Sequence, residues 1–261
     1  MRAPLIYFIL LFSPLIHAEN VGLNNPYRDP DTPYTEYKLR ALSSSPAGQV
    51  RRYETPLSAA SYYSSNDESD LPDAKEWKTH SHLSRRFKQL RDTRFLDWEV
   101  DAGLQRRISW LYPNDGCYAR AAMVMRLATK KAIPLPGKVF VFGDLKVLSR
   151  NSPWGPVTWW YHVAPVVEVK NVKYVIDPAI EPSRALKLKE WLARMGTPEK
   201  MEVAICDSGA YVPSSNCESV SNGREEQAHG AQQSFLDMEW ERIVELGRDP
   251  QRELGSRPPW K

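Results

Sequence analysis

The run from Val157 to Val169 constrains this chain more than any other segment, because it is long, β-branched and aromatic, and reads as a strand. A short polar turn, Lys170-Asn171, and a second run from Lys173 to Asp177 make it one arm of an antiparallel hairpin. Asn171 tolerates the positive φ that a two-residue turn demands. With that turn Val169 faces Val172, and the pairing runs back until Asp177 lies opposite Ala164. Side chains at 162 and 164 share a face, so His162 and Asp177 become diagonal neighbours, roughly 7–8 Å apart at Cα. A loop of odd length without a bulge would put them on opposite faces. On strict alternation His162 is flanked by Trp160, Ala164 and Val166. Trp159, Tyr161, Val163, Pro165 and Val167 then form the other face with Tyr174 and Ile176, and that face packs the core.

Upstream, the turn cluster from Pro113 to Gly116 precedes an apolar segment from Cys117 to Lys131. Ala121, Val124, Met125 and Ala128 recur at helical spacing, and Met123 and Leu127 widen the stripe until most of the circumference is apolar. Such a helix is central and buried. Asp115 or Asn114 is expected to cap its start, and Lys130, Lys131 and Pro134 mark its end. Cys117 then sits in the first turn, where unpaired backbone N–H groups and the helix dipole favour a thiolate and can hold an oxyanion.

The remaining pattern completes an α+β chain. Ala74 to Arg91, with Trp77, Leu83, Phe87 and Leu90 among charges, reads as an amphipathic helix, and Phe95 to Leu111 as one or two more. Lys138 to Phe142 and Met201 to Cys206 read as strands, and Leu186 to Met195 as a helix closed by Gly196. Ser214 to Gln233 is polar and reads as a loop, and Phe235 to Leu246 as a terminal amphipathic helix stopped by Gly247. Trp110, Tyr112 and Trp154 are candidates for the lining of a cleft. His80 and His82 are two apart, a spacing that places them on different helix faces and disfavours a shared metal.

At 261 residues, 42% hydrophobic and 11% aromatic, the chain supports one well-buried domain, assigned here to residues 74–261 with a C-terminal helical extension. Its formal charge of +3, from 35 basic and 32 acidic residues, gives no footprint for nucleic acid. Residues 1–18 read as a secretory signal peptide: Arg2, an apolar stretch from Leu5 to Ile16, and a small-residue exit at Ala18. No later stretch approaches the ~20 apolar residues of a membrane span, so a secreted or periplasmic protein without membrane insertion is expected. Residues 19–73, rich in Pro, Ser, Asn and Tyr, read as a low-order linker or pro-segment. In an oxidising compartment Cys206 and Cys217, close in sequence across a flexible loop, are expected to pair, leaving Cys117 as the odd thiol. Nothing in the sequence fixes an oligomeric state.

A free Cys opening a helix, followed by His and Asp in hairpin register, suits acyl transfer. The thiolate attacks a carbonyl carbon, backbone N–H groups hold the oxyanion, and the His, oriented by the Asp, protonates the leaving group. Helix before sheet, in the order Cys, His, Asp, looks like the papain and transglutaminase architecture. That leaves peptidase, transglutaminase and deamidase open.

Three motifs narrow the choice: Tyr112 to Ala121 around Cys117, Trp160 to Pro165 around His162, and Val175 to Pro178 around Asp177. Together they resemble the bacterial protein glutaminases, over roughly Tyr112 to Gly196. The resemblance implies Cys117 as nucleophile, His162 as general base and acid, and Asp177 as the residue that orients it. It implies hydrolysis of a protein-bound glutamine to glutamate with release of ammonia, without metal or organic cofactor, on a protein or peptide with an exposed glutamine. Transglutamination follows if an amine reaches the acyl-enzyme before water. The rivals are an exported thiol peptidase or cell-wall amidase, and a non-enzymatic binding module in which Cys117 is a structural thiol.

Overall fold

The computed structural model describes residues 73–211 and 223–260, with Leu71, the strand Tyr62–Ser64 and the single position Glu36. The signal-peptide reading of residues 1–18, and Cys217, lie outside the described residues.

The hairpin forms as its turn chemistry dictates. Lys170 and Asn171 have φ of 53° and 60°, the two positive values of a turn whose twist matches that of the strands it joins. Strand β5 (Val157–Val169) pairs antiparallel with β6 (Val172–Val175), from Val169 opposite Val172 to Val166 opposite Val175. The pairing continues in a 2.8 Å bond from Ile176 N–H to the Pro165 carbonyl. Asp177 therefore falls opposite Ala164, as the two-residue turn requires.

Around this hairpin six antiparallel strands line up in the order β1, β8, β4, β5, β6, β7. They comprise β1 (Tyr62–Ser64), β4 (Gly137–Val147), β7 (Leu186–Lys187) and β8 (Glu202–Cys206) besides the hairpin. Strand β4 runs five residues past the expected Phe142, with a register shift between Phe142 and Leu145. Its positive-φ Gly143 lies in that irregularity. The pairing of β1 with β8, and the burial of Leu71, extend the packed unit upstream of Ala74, into a stretch where strands were not expected.

Helix α2 (Cys117–Lys130) lies against β5. Ten of its fourteen residues are buried, the near-cylindrical apolar surface of a central helix. Truncating the fully buried Leu127 to Ala leaves a cavity that costs about 2–5 kcal/mol. On one side of the sheet Phe140, Phe142, Trp160, Tyr161 and Val163 cluster with Cys117 and Ala121. On the other Val139, Val141, Leu145, Trp159, Ala164 and Val166 pack with Trp191, Leu192 and Met195. The last three belong to or follow the short helix α3 (Leu188–Ala193). Both sheet faces are therefore core, where one had been expected.

Three elements differ from their sequence reading. Helix α1 (His80–Asp92) starts six residues after Ala74, capped by the Thr79 hydroxyl. The chain before it runs extended along β5, with Trp77 N–H bonded to the Glu168 carbonyl at 2.7 Å. Phe95 to Leu111 is not helical: it forms the ribbon β2 (Leu96–Trp98) and β3 (Asp101–Arg106). A charged residue, Arg106, occupies an inward position there at 1% exposure, which hides the alternation. The polar stretch read as a loop up to Gln233 is helical from residue 223, within α4 (Gly223–Glu245). Gln232 and Gln233 are buried, and Gln232 donates to Ser109 Oγ at 2.6 Å, so amides stand where apolar residues usually mark the inner face. Helix α5 (Pro250–Leu254) follows, capped by Asp249. The result is α+β, with a Cys-first central helix on an antiparallel sheet.

Candidate active site

The hairpin delivers His162 and Asp177 to one another. His162 Nε2 lies 2.8 Å from Asp177 Oδ2, with exposures of 1% and 5%. The same carboxylate oxygen accepts the indole N–H of Trp191 at 3.0 Å, and Oδ1 accepts the backbone N–H of Ala179 at 3.2 Å. Burial alone would raise the Asp177 carboxyl. The neighbouring His162 and the Trp191 indole outweigh that effect and hold it below the ordinary carboxylate range.

The imidazole is held on its faces as well. Trp159 stacks on it at 4.5 Å between ring centroids and 14° between planes, and Trp191 lies tilted at 5.6 Å. Strict alternation had put Trp160 beside His162 and Trp159 on the opposite face. The register shift opposite Trp159 to Tyr161 breaks this alternation: Trp159 stacks on His162, and Trp160 and Tyr161 cluster with Cys117. His162 Nδ1 is buried without a hydrogen-bond partner among the described residues.

Cys117 is the first residue of α2, as expected, but its cap is different. Gly116 occupies the cap position in left-handed conformation, φ 83°, with no side-chain cap. Asp115 instead folds back, its Oδ1 accepting the N–H of Gly116 at 2.5 Å. Arg120, one turn into the helix, donates to the carbonyls of Tyr112 (2.8 Å) and Asp115 (2.6 Å). The first helical bond, Arg120 N–H to the Gly116 carbonyl, leaves the N–H groups at the start of the helix for other partners.

The thiol sits beside the histidine strand, hydrogen-bonded to the backbone of Val163, the residue after His162. It is 1% exposed, and Cys117 is the free cysteine among the described residues. Burial pushes it up to about 12 from 9.0, against the opposing pull of Arg120 and the Val163 hydrogen bond. Burial, which favours the neutral thiol, thus opposes the helix terminus, which favours the thiolate.

Further groups frame the same turn. Phe235 of α4 sits on Gly116, so close that an added Cβ would meet its ring at 2.7 Å. Glu239 Oε1 accepts the N–H of Leu111 at 2.7 Å, while its Oε2 pairs with Arg106 at 2.9 Å. Trp110 is core, its indole bonded to the Arg91 carbonyl, whereas Trp154 is 69% exposed and lies over the Arg242 guanidinium. His80 packs edge-on against Tyr174, and His82 stands at the start of α1. Among the described residues no three His, Cys, Asp or Glu side chains come together as a metal site. Sequence reasoning missed Trp191 and the contributions of Phe235 and Glu239. The last two carried one faint signal, four-residue spacing on a helical segment.

Residues 83–195, which include Cys117, His162 and Asp177, match the family model described as Glutaminase (Gln_deamidase_2). Among solved structures, the crystal structure of protein-glutaminase aligns with 62% of this chain and 89% of its own at 21% identity, TM-score 0.48. The crystal structure of pro-protein-glutaminase aligns with 69% of this chain and 64% of its own at 21% identity, TM-score 0.45. The NMR structure of protein-glutaminase from Chryseobacterium proteolyticum aligns with 57% and 84% at 22% identity, TM-score 0.42. No curated protein matches.

Proposed function

We propose, taking residues 83–195 as a glutaminase-family segment, that this chain deamidates glutamine side chains in proteins through a Cys117–His162–Asp177 triad. The observation that carries the reading is the hairpin-built pair: a buried Asp177 bonded to His162 Nε2, with the opposite ring nitrogen unpartnered and Cys117 bonded to the next residue along.

The chemistry follows from the protonation states. Starting from the neutral Cys117 thiol that burial favours, the proton passes to His162 Nδ1 as sulfur attacks the glutamine carboxamide carbon. The C–S bond forms and the carbonyl π pair moves onto oxygen, where free N–H groups at the start of α2 stabilise the oxyanion. Asp177 holds the ring orientation and stabilises the imidazolium. His162 then gives its proton to the departing nitrogen, the C–N bond breaks, and ammonia leaves a thioester. Water, deprotonated by His162, attacks the thioester carbon, the C–S bond breaks, His162 returns the proton to the leaving sulfur, and glutamate is released. The aromatic enclosure of Cys117 requires the side chains over the sulfur to give way to substrate.

The same reading covers the rest of the chain. Residues 1–18 act as an export signal to the periplasm or exterior, residues 19–73 as a linker or pro-segment, and Cys206 pairs with Cys217. No helix among the described residues is long and apolar enough to cross a membrane. The burial of Cys117 favours one rival, a binding module with a structural thiol. Mass spectrometry of a glutamine-rich protein incubated with the enzyme decides among them. Conversion of glutamine to glutamate in chains of unchanged length supports the proposal. New termini point to a peptidase, and an untouched substrate to the binding module.

A further inference from the structure

We infer that Arg242, on helix α4 and outside the family-matched segment, is a positioning residue for the catalytic histidine and the nucleophile turn together; the inference rests on the deamidase reading above. Its Nη1 donates to Asn114 Oδ1 at 2.6 Å and to the Asn151 carbonyl at 3.0 Å. Its Nε donates to Glu245 Oε2 at 3.1 Å. The guanidinium lies over two aromatic rings, 5.1 Å from the centre of Tyr112 and 4.7 Å from that of Trp154. The group is buried, at 5% exposure. A planar fork that bonds at its edge and stacks on its faces is arginine chemistry that lysine does not reproduce.

Asn114 is the junction. Its side chain is held by Arg242, and its backbone carbonyl accepts the indole N–H of Trp159 at 3.2 Å. Trp159 is the ring stacked on His162. Three residues further along, the same turn delivers Cys117. One guanidinium thus fixes the residue from which both halves of the triad take their placement: the turn leading to the sulfur, and the indole against the imidazole. Two neighbours on the same helix face act on the same turn, Phe235 on Gly116 and Glu239 on Leu111. Positions 235, 239 and 242 follow the spacing of one helix face. Helix α4 is therefore a clamp on residues 111–116, with Arg242 the member that also reaches the histidine.

The test uses full-length protein with Arg242→Leu and Arg242→Lys, selectively labelled at histidine, with the His162 signals assigned by their loss in His162→Gln. Stacking on Trp159 shields the His162 ring protons in the wild type. Both variants are expected to move those signals downfield, Leu more than Lys. Misplacing the reacting groups lowers kcat about 10- to 100-fold per titratable Cys117, with KM little changed. Free guanidinium added to Arg242→Ala is expected to restore part of the shift and part of kcat. A purely structural role lowers only the folded fraction, so folded molecules with wild-type His162 signals and wild-type kcat overturn the inference. Should Arg242→Leu fail to fold, Arg242→Lys, which keeps the charge and the aliphatic stem, is read by the same criteria. Wild-type protein that releases no ammonia sinks the deamidase reading alone, and unchanged His162 signals in the folded variants sink the inference alone.

Discussion

The two halves of the candidate site are held in place by different means. His162 and Asp177 are 15 residues apart and meet because one two-residue turn sets one register. Cys117 depends on a turn gripped from a helix more than a hundred residues downstream, through Phe235, Glu239 and Arg242. The proposed base is built by local pairing and the proposed nucleophile by long-range packing. They differ electrostatically too. Donors around Asp177 hold its carboxyl below the ordinary range, whereas burial in an aromatic cluster pushes the thiol above its ordinary value. A mutation in the hairpin should therefore act on charge and orientation, and one around the nucleophile turn on placement and access.

The largest effects test the chemistry common to both halves. Cys117→Ala and His162→Ala are each expected to remove turnover almost completely, and the double variant to lose no more, because the groups act as a unit. Additive losses in steady-state kinetics would mean that they work separately. Next, Asp177→Asn keeps the shape but inverts the hydrogen bond to His162, and kcat should fall about 10³- to 10⁴-fold with KM nearly constant. Its stability carries a pH signature. A depressed folded-state carboxyl contributes stability that is complete above the ordinary carboxylate range and lost as pH falls through its folded value. The gap between wild type and Asp177→Asn in urea unfolding should therefore close in acid; a gap constant with pH would remove the depressed carboxylate from the picture.

The nucleophile half has its own tests. A shift from 9.0 to about 12 leaves about a thousandfold less thiolate near neutral pH, so iodoacetamide should label native Cys117 far more slowly than the unfolded chain. The rate should climb through pH 10 without a plateau. A plateau near neutrality would reveal a preformed thiolate. Glu239→Gln strands the buried Arg106 charge while leaving the Leu111 contact an acceptor, which should cost about 3–5 kcal/mol in thermal or urea unfolding. A loss under about 1 kcal/mol would show that helix α4 is not anchored there. The smallest change is expected in the hairpin turn, where Asn171→Val puts a β-branched residue at φ 60° for about 1–2 kcal/mol. If the turn sets the register, the His162 and Asp177 pair should loosen with it.

Legibility in the sequence followed the same division. The turn Lys170-Asn171 and the period of two carried enough information to place His162 against Asp177, and the apolar girth of residues 117–130 to make α2 central. Polar residues that turn inward broke the pattern elsewhere. Arg106 concealed a β ribbon as helix, and Gln232 concealed the first half of α4 as loop, because each is buried against a hydrogen-bond partner remote in sequence. Trp159 and Trp160 changed sides because a register shift follows from an irregularity in the neighbouring strand, which periodicity within one strand does not encode. The burial of the thiol was hidden for a related reason: helix position is local, and the cluster of Cys117 with Phe142, Tyr161 and Ala210 is not.

One measurement bears most directly on the triad assignment: ammonia released from an intact glutamine-containing protein, compared with free glutamine, for wild type and Cys117→Ala. The expected result is steady release from the protein by wild type, much less from free glutamine, and none from the variant. Undiminished release by Cys117→Ala would contradict the assignment of the nucleophile, and with it the mechanism built on His162 and Asp177.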